Sequence, residues 1–327
     1  MKIFAMKKIK TFGDLAEELG PKKKTLYTRT LTEAQIKLLG QWLDRRLWAP
    51  YNVDYSVFAY KSRDVNVVAY KSGKLVVQGK GTEDFVTFVL EPEILGVAEF
   101  GYDEALHPEW YEAHAGLDES GKGDLFGPIV AACVIADGDA VKKWQDADLK
   151  ESKKVTSDKA VLAMAKKIRD TKNVVVKVSY ANMAKYNELY RRFGNLNKML
   201  AWMHAKALEG ALQERSVAWG MLDQFTKQPL VQRQIKQDGF KSFELKMQTK
   251  AESDPVVAAA SIIARATYIF ALKKLSKEFG EDLMKGASAK TREQAVAVVK
   301  KFGPDRLPDF VKMHFKTAQE ALKEAAQ

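Results

Sequence analysis

The spacing of apolar residues predicts a small mixed domain over residues 1–90. Apolar side chains recur at helical spacing over residues 30–48, and Thr32 and Gln35 are placed as a capping box at the start of that helix. Three short stretches then alternate between apolar and polar residues, which is typical of strands. They are residues 55–60, 65–70 and 74–78, and a second helix is expected over residues 83–90.

The pattern changes twice after residue 90. Residues 91–114 contain Pro92, Gly96, Gly101 and Pro108 without periodic spacing, and we interpret them as a linker. From residue 115 to residue 327, apolar strands alternate with helices, which is typical of an α/β layered domain. The expected strands are 128–136, 174–180 and 217–222, and the expected helices are 157–170, 181–190, 195–213, 255–274 and 291–302.

Charge and cysteine content narrow the class of function. The 327-residue chain carries a formal net charge of +11, which favours a polyanionic partner, nucleic acid before membrane. A basic surface that serves only solubility is the alternative. The single cysteine, Cys133, lies in an apolar strand, so a disulfide framework and a thiolate zinc site are excluded.

The sequence also carries expectations about location and assembly. We find no apolar run that approaches the roughly 18 residues needed to span a bilayer, and the N-terminal residues lack the uninterrupted apolar core of a secretion signal. A cytoplasmic protein that does not bind membranes is therefore expected. A monomer is expected because no surface heptad or exchangeable element stands out.

Acidic residues stand next to two predicted buried strands. Asp118 and Glu119 precede the strand at 128–136, and Asp223 directly follows the strand at 217–222. An isolated Asp-Glu pair is usually an ordinary turn. In α/β sheets, however, sites collect where strands end, so acids on neighbouring strands can converge. We therefore treat these three acids as a candidate site.

Two more acids precede the alanine-rich helix that starts at Pro255. Asp254 suits the capping position better than Glu252 does. An all-oxygen ligand set suits Mg²⁺ or Mn²⁺ rather than zinc. Two such ions, held about 4 Å apart, stabilise both the attacking water and the leaving oxygen of a phosphate displacement. In a chain this basic, that chemistry indicates phosphodiester hydrolysis.

Several motifs in order carry a resemblance to a known family. They are GLDESGKGDLFGPIVAA, KESKK, MLDQF, KAES followed by VAAASIIAR, and KGAS. With these, the chain resembles the ribonuclease HIII branch of the type 2 ribonucleases H. The segment AYKSGKLVVQGKG resembles the substrate-binding domain of that branch, which has a TATA-binding-protein-like fold. Ribonuclease HII differs, because it usually has arginine where this chain has Lys122 and lacks the N-terminal module.

The resemblance implies endonucleolytic cutting of the RNA strand of RNA/DNA hybrids, with Mg²⁺ or Mn²⁺, on an α/β RNase H-like fold. It implies a metal-binding catalytic set of Asp118, Glu119, Asp223 and Glu252, and Asp254 stays open as the fourth acid. The implied substrate contacts are Gly121, Lys122 and Gly123 along the RNA strand and Ser152, Lys153 and Lys154 at phosphates. A solvated loop is the alternative for the last three.

Two other functions remain open at this point. The first is cleavage at single ribonucleotides in duplex DNA, as in ribonuclease HII. The second is a noncatalytic protein that coats hybrids through its positive surface. In the N-terminal module, a role in following a nucleic-acid backbone is expected for Lys61, Arg63, Lys71, Lys74 and Lys80. Among the histidines, we interpret His204 as structural and place His314 near the site.

Overall fold

The computed structural model describes residues 25–97, 106–146 and 157–327. The chain divides into two compact units, Met1–Pro108 and Glu109–Gln327. Three predicted phosphate contacts, Ser152, Lys153 and Lys154, lie outside the described residues.

The first unit is a sheet covered by helix. Its regular elements are, in chain order, β1 (Leu26–Thr30), α1 (Glu33–Arg45), β2 (Ala49–Pro50), β3 (Ser56–Lys61), β4 (Asn66–Tyr70), β5 (Lys74–Gln78) and α2 (Thr82–Phe85). The strands are antiparallel in the order β1-β5-β4-β3-β2. The predicted capping box is present, with Gln35 N donating to Thr32 Oγ1 and Thr32 N donating to Gln35 Oε1.

The predicted linker begins too early. Helix α2 continues as a π-helix over Val86–Leu95, although Pro92 lies inside it. Leu90 and Ile94 from this helix are buried in the core of the first unit together with Leu39. Burial of these side chains offsets the hydrogen bond that proline cannot donate. Residues 91–95 are therefore helical rather than linker.

The second unit is built on a mixed sheet. Its strands are β6 (His114–Ser120), β7 (Val130–Ala136), β8 (Val175–Tyr180), β9 (Trp219–Asp223) and β10 (Glu244–Gln248), in the order β10-β9-β6-β7-β8. Strands β10, β9 and β6 are parallel, and β7 is antiparallel to both β6 and β8. Every residue of β7 is buried, as its continuous apolar sequence predicts.

Helices cover both faces of this sheet. They are α3 (Gly138–Asp146), α4 (Asp158–Arg169), α5 (Met183–Phe193), α6 (Leu196–Glu214), α7 (Leu230–Gln237), α8 (Pro255–Phe279), α9 (Ala289–Phe302) and α10 (Lys316–Ala325). The core on one face joins α8 to alternate residues of β7, and the core on the other face joins α6 and α7 to the sheet.

Helix α8 corrects one sequence-based expectation. By length and composition it is the one helix among the described residues that could cross a membrane, so the absence of such a helix was wrongly predicted. Its most apolar 18-residue stretch is 72% buried inside the protein. The apolar character of α8 is therefore used in the core of the second unit.

A glycine brings the start of α8 against the sheet. A Cβ added to Gly116 on β6 would lie 2.3 Å from the carbonyl carbon of Val256 and 2.4 Å from the nitrogen of Val257. Such distances leave no room for any side chain. Gly116 therefore lets the first turn of α8 approach β6 two residues before Asp118.

Candidate active site

Two acids from distant parts of the chain meet at one edge of the sheet. Strands β6 and β9 are parallel and aligned with Leu117 opposite Leu222, so Asp118 and Asp223 are the next residues along each strand. Burial raises the pKa of Asp118 to about 6; a hydrogen bond from Ser261 opposes this, and the charges of Glu119 and Asp223 add to it. The two aspartates are thus close enough for their charges to interact.

Glu119 points towards a different helix from Asp118. Its Oε2 accepts a hydrogen bond from Nε2 of His204 at 3.1 Å, and its Oε1 lies 3.8 Å from the Lys122 ammonium. The His204 ring is fully buried and stacks on Phe225, with ring centres 5.5 Å apart. Because neighbouring strand residues face opposite ways, Asp118 lies on the α8 face and Glu119 on the α6 face.

Asp254 performs the capping role that its position predicts. Its Oδ1 accepts from the backbone nitrogens of Val256 at 2.7 Å and Val257 at 3.3 Å, at the start of α8. The carboxylate is fully buried and also lies 3.0 Å from Nε2 of His114. The oxygens of Asp254 are therefore engaged in holding the helix start to β6.

His114 is held between two acceptors. Its Nδ1 lies 2.7 Å from the carbonyl oxygen of Glu112, while its Nε2 faces the Asp254 carboxylate. Both ring nitrogens are therefore engaged, one at the Glu112 carbonyl and one at the Asp254 carboxylate. The ring also stacks on Trp219, with centres 4.3 Å apart.

Glu252 lies near the edge of the sheet where Asp118 and Asp223 meet. It sits in a short 3-10 helix, Ala251–Ser253, and the backbone nitrogen of Ala251 donates to Asp223 Oδ1 at 3.1 Å. The Glu252 side chain is partly buried. Because Asp254 is used as a cap, we retain Glu252 as the candidate fourth acid.

The glycines around Lys122 have different surroundings. Gly121 is buried with φ at +90°, and an added Cβ would lie 2.5 Å from the Pro128 oxygen and 2.8 Å from the Tyr268 ring. Gly121 is therefore required by the fold. Gly123 is exposed, and an added Cβ would meet nothing within 4 Å. The Lys122 side chain is 38% exposed, so Lys122 and Gly123 form the accessible part of the motif.

The chemistry of these donors fits a hard divalent cation. Asp118, Asp223, Glu119 and Glu252 offer only carboxylate oxygens, which Mg²⁺ and Mn²⁺ prefer. A cation next to Asp118 would favour its ionised form against the burial and repulsion that raise its pKa. Across the described ranges, no three acidic, histidine or cysteine side chains already converge as a ligand cluster. Asp118 and Asp223 are therefore the nucleus of the candidate metal site.

Some neighbours of the acids were not identified from the sequence. His204 was interpreted as structural, yet it contacts Glu119 directly, and its Nδ1 has no hydrogen-bond partner among the described residues. Ser261 donates to Asp118 from the second turn of α8. In both cases the available signal was a polar residue among apolar residues at helical spacing. His314 instead contacts Tyr186 and stacks on Tyr190.

The sequence matches two family models. Residues 115–318 match the model described as Ribonuclease HII, and residues 30–95 match a domain of unknown function (DUF3378). The chain is 38% identical to ribonuclease HIII of Protochlamydia amoebophila over 268 residues, which cover 82% of this chain and 87% of that protein. It is 36% identical to ribonuclease HIII of Chlamydia caviae over 305 residues, or 92% and 99% of the two chains.

Solved structures show the same likeness over both units. The crystal structure of Bst-RNase HIII in complex with Mn²⁺ is 28% identical with a TM-score of 0.63, covering 92% of this chain and 99% of that one. The crystal structure of Aquifex aeolicus RNase H3 is 26% identical with a TM-score of 0.52, covering 89% and 100%. The expected RNase H-like fold with a small additional N-terminal domain is confirmed. The chain belongs to the ribonuclease HIII family.

Proposed function

We propose that this protein is an endoribonuclease that hydrolyses the RNA strand of RNA/DNA hybrids with the help of Mg²⁺ or Mn²⁺. The observation that carries the proposal is the convergence of Asp118 and Asp223 at the ends of two parallel strands, in a member of the ribonuclease HIII family. Cations held by these acids would stabilise the attacking and leaving oxygens of the scissile phosphate.

Four acids are proposed to bind the cations. Asp118 and Asp223 provide carboxylates from adjacent strands, and Glu252 adds a third from the turn before α8. Glu119 contributes from the opposite face, where His204 fixes its carboxylate through the 3.1 Å hydrogen bond. Asp254 takes no part in this set, because its oxygens cap α8 and face His114.

Substrate recognition is assigned to two surfaces. Lys122 and Gly123 are accessible beside Glu119, where a lysine suits a phosphate and an exposed backbone amide suits a 2′-hydroxyl. In the first unit, Lys61, Arg63, Lys71, Lys74 and Lys80 are all exposed. These five cations supply affinity for the sugar-phosphate backbone that does not depend on sequence. Ser152, Lys153 and Lys154 remain candidate phosphate contacts.

The direct test compares three labelled substrates at a series of Mg²⁺ and Mn²⁺ concentrations. They are a continuous RNA/DNA hybrid, a DNA duplex that contains four consecutive ribonucleotides, and a DNA duplex that contains one ribonucleotide. We expect metal-dependent cuts in the RNA of the first two and little cutting of the third. Strong cutting of the single-ribonucleotide duplex alone would instead establish a ribonuclease HII-like activity.

A noncatalytic hybrid binder would give a different result in the same experiment. Such a protein would retard all three substrates on a gel and leave their strands intact at every metal concentration. The convergence of Asp118 and Asp223 argues against this alternative, because crowded carboxylates weaken the binding of a polyanion unless cations lie between them.

A further inference from the structure

The loop that follows the Gly121-Lys122-Gly123 motif is shaped by a segment far away in the chain. The loop first closes on itself, with Asp124 N donating to the Gly121 carbonyl at 3.3 Å. Gly286, in the KGAS motif, then holds it from one side. Gly286 N donates to Asp124 Oδ1 at 2.5 Å, and Leu125 N donates to the Gly286 carbonyl at 2.9 Å.

The segment 310–312 holds the same loop from another side. Phe126 and Val311 form an antiparallel bridge. Gly127 N donates to the Phe310 carbonyl at 3.1 Å, and Lys312 N donates to the Leu125 carbonyl at 2.9 Å. The loop therefore has backbone partners on both sides, although none of its own residues from 122 to 127 lies in a helix or strand of the sheet.

The side chain of Lys312 completes this arrangement from inside the protein. It is fully buried, and its Nζ donates to the carbonyl oxygens of Asp124, at 2.6 Å, and of Gly127. These two carbonyls bracket the loop. The amine also lies 5.6 Å from the centre of the Tyr186 ring.

Burial disfavours the charged form of Lys312. Burial lowers the pKa of Lys312 to about 7, and the negative charge of Asp124 opposes that change. A neutral amine still has two N–H donors, which match the two carbonyls. The hydrogen bonds to Asp124 and Gly127 are thus preserved in either protonation state.

We propose that Lys312 is a positioning residue for substrate binding, which fixes the Lys122-Gly123 turn by holding the Asp124 and Gly127 carbonyls. The proposal rests on the proposed function, because the turn matters only if it contacts a hybrid. Lys312 itself is buried and does not touch the substrate. Its effect is carried through Asp124, which is bonded both to Gly121 and to Lys312.

The test begins with Lys312→Met, which keeps most of the side-chain length and removes both donors. The control is Lys316→Met, since Lys316 is 90% exposed and pairs only with Glu320 on its own helix, as far as the described residues show.

Binding of a labelled hybrid to the full chain is measured in an Asp223→Asn background, and kcat and KM are measured with Asp223 intact. We expect Lys312→Met to raise Kd and KM about tenfold, as when one interaction with the nucleic-acid backbone is removed, and to change kcat less than threefold. Lys316→Met should change neither.

A double-mutant cycle with Lys122→Ala separates positioning from general loss of stability. If Lys312 acts through the turn, adding Lys312→Met to Lys122→Ala weakens binding by less than about twofold more, because Lys122→Ala has already removed the interaction that Lys312 supports. Losses that multiply, or a fall in the active fraction with unchanged KM, would overturn the proposal. Lys122→Ala without effect on Kd would refute it as well.

Lys312→Gln provides a second route if Lys312→Met does not fold. Its side chain keeps polar N–H donors but is one bond shorter than lysine, so its bonds to the Asp124 and Gly127 carbonyls are weakened; a rise in KM in the same direction and the same non-additivity with Lys122→Ala are expected. Additive behaviour of this variant would count equally against the proposal. A wild-type protein that neither binds nor cuts a hybrid would defeat the proposed function itself, whereas normal binding by both variants would defeat only the role of Lys312.

Discussion

At the scale of single residues, the candidate site places the buried carboxyl group of Asp118 close to the carboxylates of Glu119 and Asp223. Asp118 has its pKa raised to about 6, chiefly by burial and further by the charges of Glu119 and Asp223. The folded protein therefore takes up a proton at Asp118 more readily than the unfolded chain, whose aspartates titrate near 3.8. By linkage, ionisation of Asp118 lowers the stability of the folded state progressively as the pH rises from about 4 to about 6.

This charge distribution predicts that Asp118→Asn stabilises the metal-free protein. The gain is absent below about pH 4, grows between pH 4 and pH 6, and reaches on the order of 1–3 kcal/mol at neutral pH. Thermal unfolding in a chelator, followed across that pH range, measures it. Glu244→Gln, which alters an exposed acid on β10, serves as the control. If Asp118→Asn were less stable than the wild type at pH 7.5, the ionised Asp118 carboxylate would not be destabilising the folded protein.

At the scale of elements, most of the fold was predictable where periodicity was strong. Helices α1, α4 and α8 and strands β4, β5, β7 and β8 lie close to their predicted positions. Strand β6 was not predicted, because Asp118, Glu119 and Ser120 interrupt its apolar pattern. Helices α3 and α7 were missed because they are short, at nine and eight residues, and few of their positions are apolar.

The candidate site was predictable to the extent that acids stand next to apolar segments. Asp118 and Asp223 could be placed together because Asp118 precedes one predicted buried strand and Asp223 follows another. The partners His204 and His114 could not, since their contacts depend on how α6 and α8 pack against β6. The choice between Glu252 and Asp254 likewise required the cap geometry at Pro255.

That geometry predicts opposite consequences for two neighbouring acids. Glu252→Gln should lower kcat at least about 100-fold, because even substitutions in groups that only support a metal ligand cost 10–100-fold. Its unfolding free energy should change by less than about 1 kcal/mol, as for most substitutions outside the core. Asp254→Asn should lower the unfolding free energy by about 2 kcal/mol, since it removes the carboxylate that the buried His114 ring contacts at 3.0 Å.

Urea unfolding and steady-state cleavage of a hybrid, measured on the same preparations, provide the comparison. Both unfolding curves are taken in a chelator so that metal binding does not contribute. If Glu252→Gln cut normally and a folded Asp254→Asn protein did not cut at all, the fourth acid would be Asp254, and the assignment would be reversed.

At the scale of the whole molecule, the two units are proposed to have different functions. The net charge of +11 favours nucleic acid as a partner, and the acids proposed to bind the catalytic cations all belong to Glu109–Gln327. The first unit carries exposed cations and no proposed catalytic residue. Its contribution is expected to be affinity that depends on ionic strength.

Removal of residues 1–108 should therefore weaken hybrid binding and flatten its dependence on salt. The plot of log K against log salt has a negative slope. For each phosphate that the shortened protein no longer neutralises, the magnitude of this slope should decrease by about 0.9 or somewhat less. Fluorescence anisotropy between about 50 and 200 mM salt, in the Asp223→Asn background, measures the slope. A full-length variant with Lys61, Arg63, Lys71, Lys74 and Lys80 changed to alanine should reproduce much of the effect. An unchanged slope in both proteins would assign the first unit to a different partner.

The central claim is that Asp118 and Asp223 together hold the cations that cut RNA in a hybrid. The most direct measurement follows cleavage of an RNA/DNA hybrid labelled on its RNA strand by wild type and Asp223→Asn across Mn²⁺ concentrations, with hybrid binding recorded for both. We expect the wild type to cut only when metal is added, and Asp223→Asn to bind the hybrid with near-normal affinity while leaving the RNA intact. Metal-dependent cutting by Asp223→Asn at the wild-type rate would contradict the account.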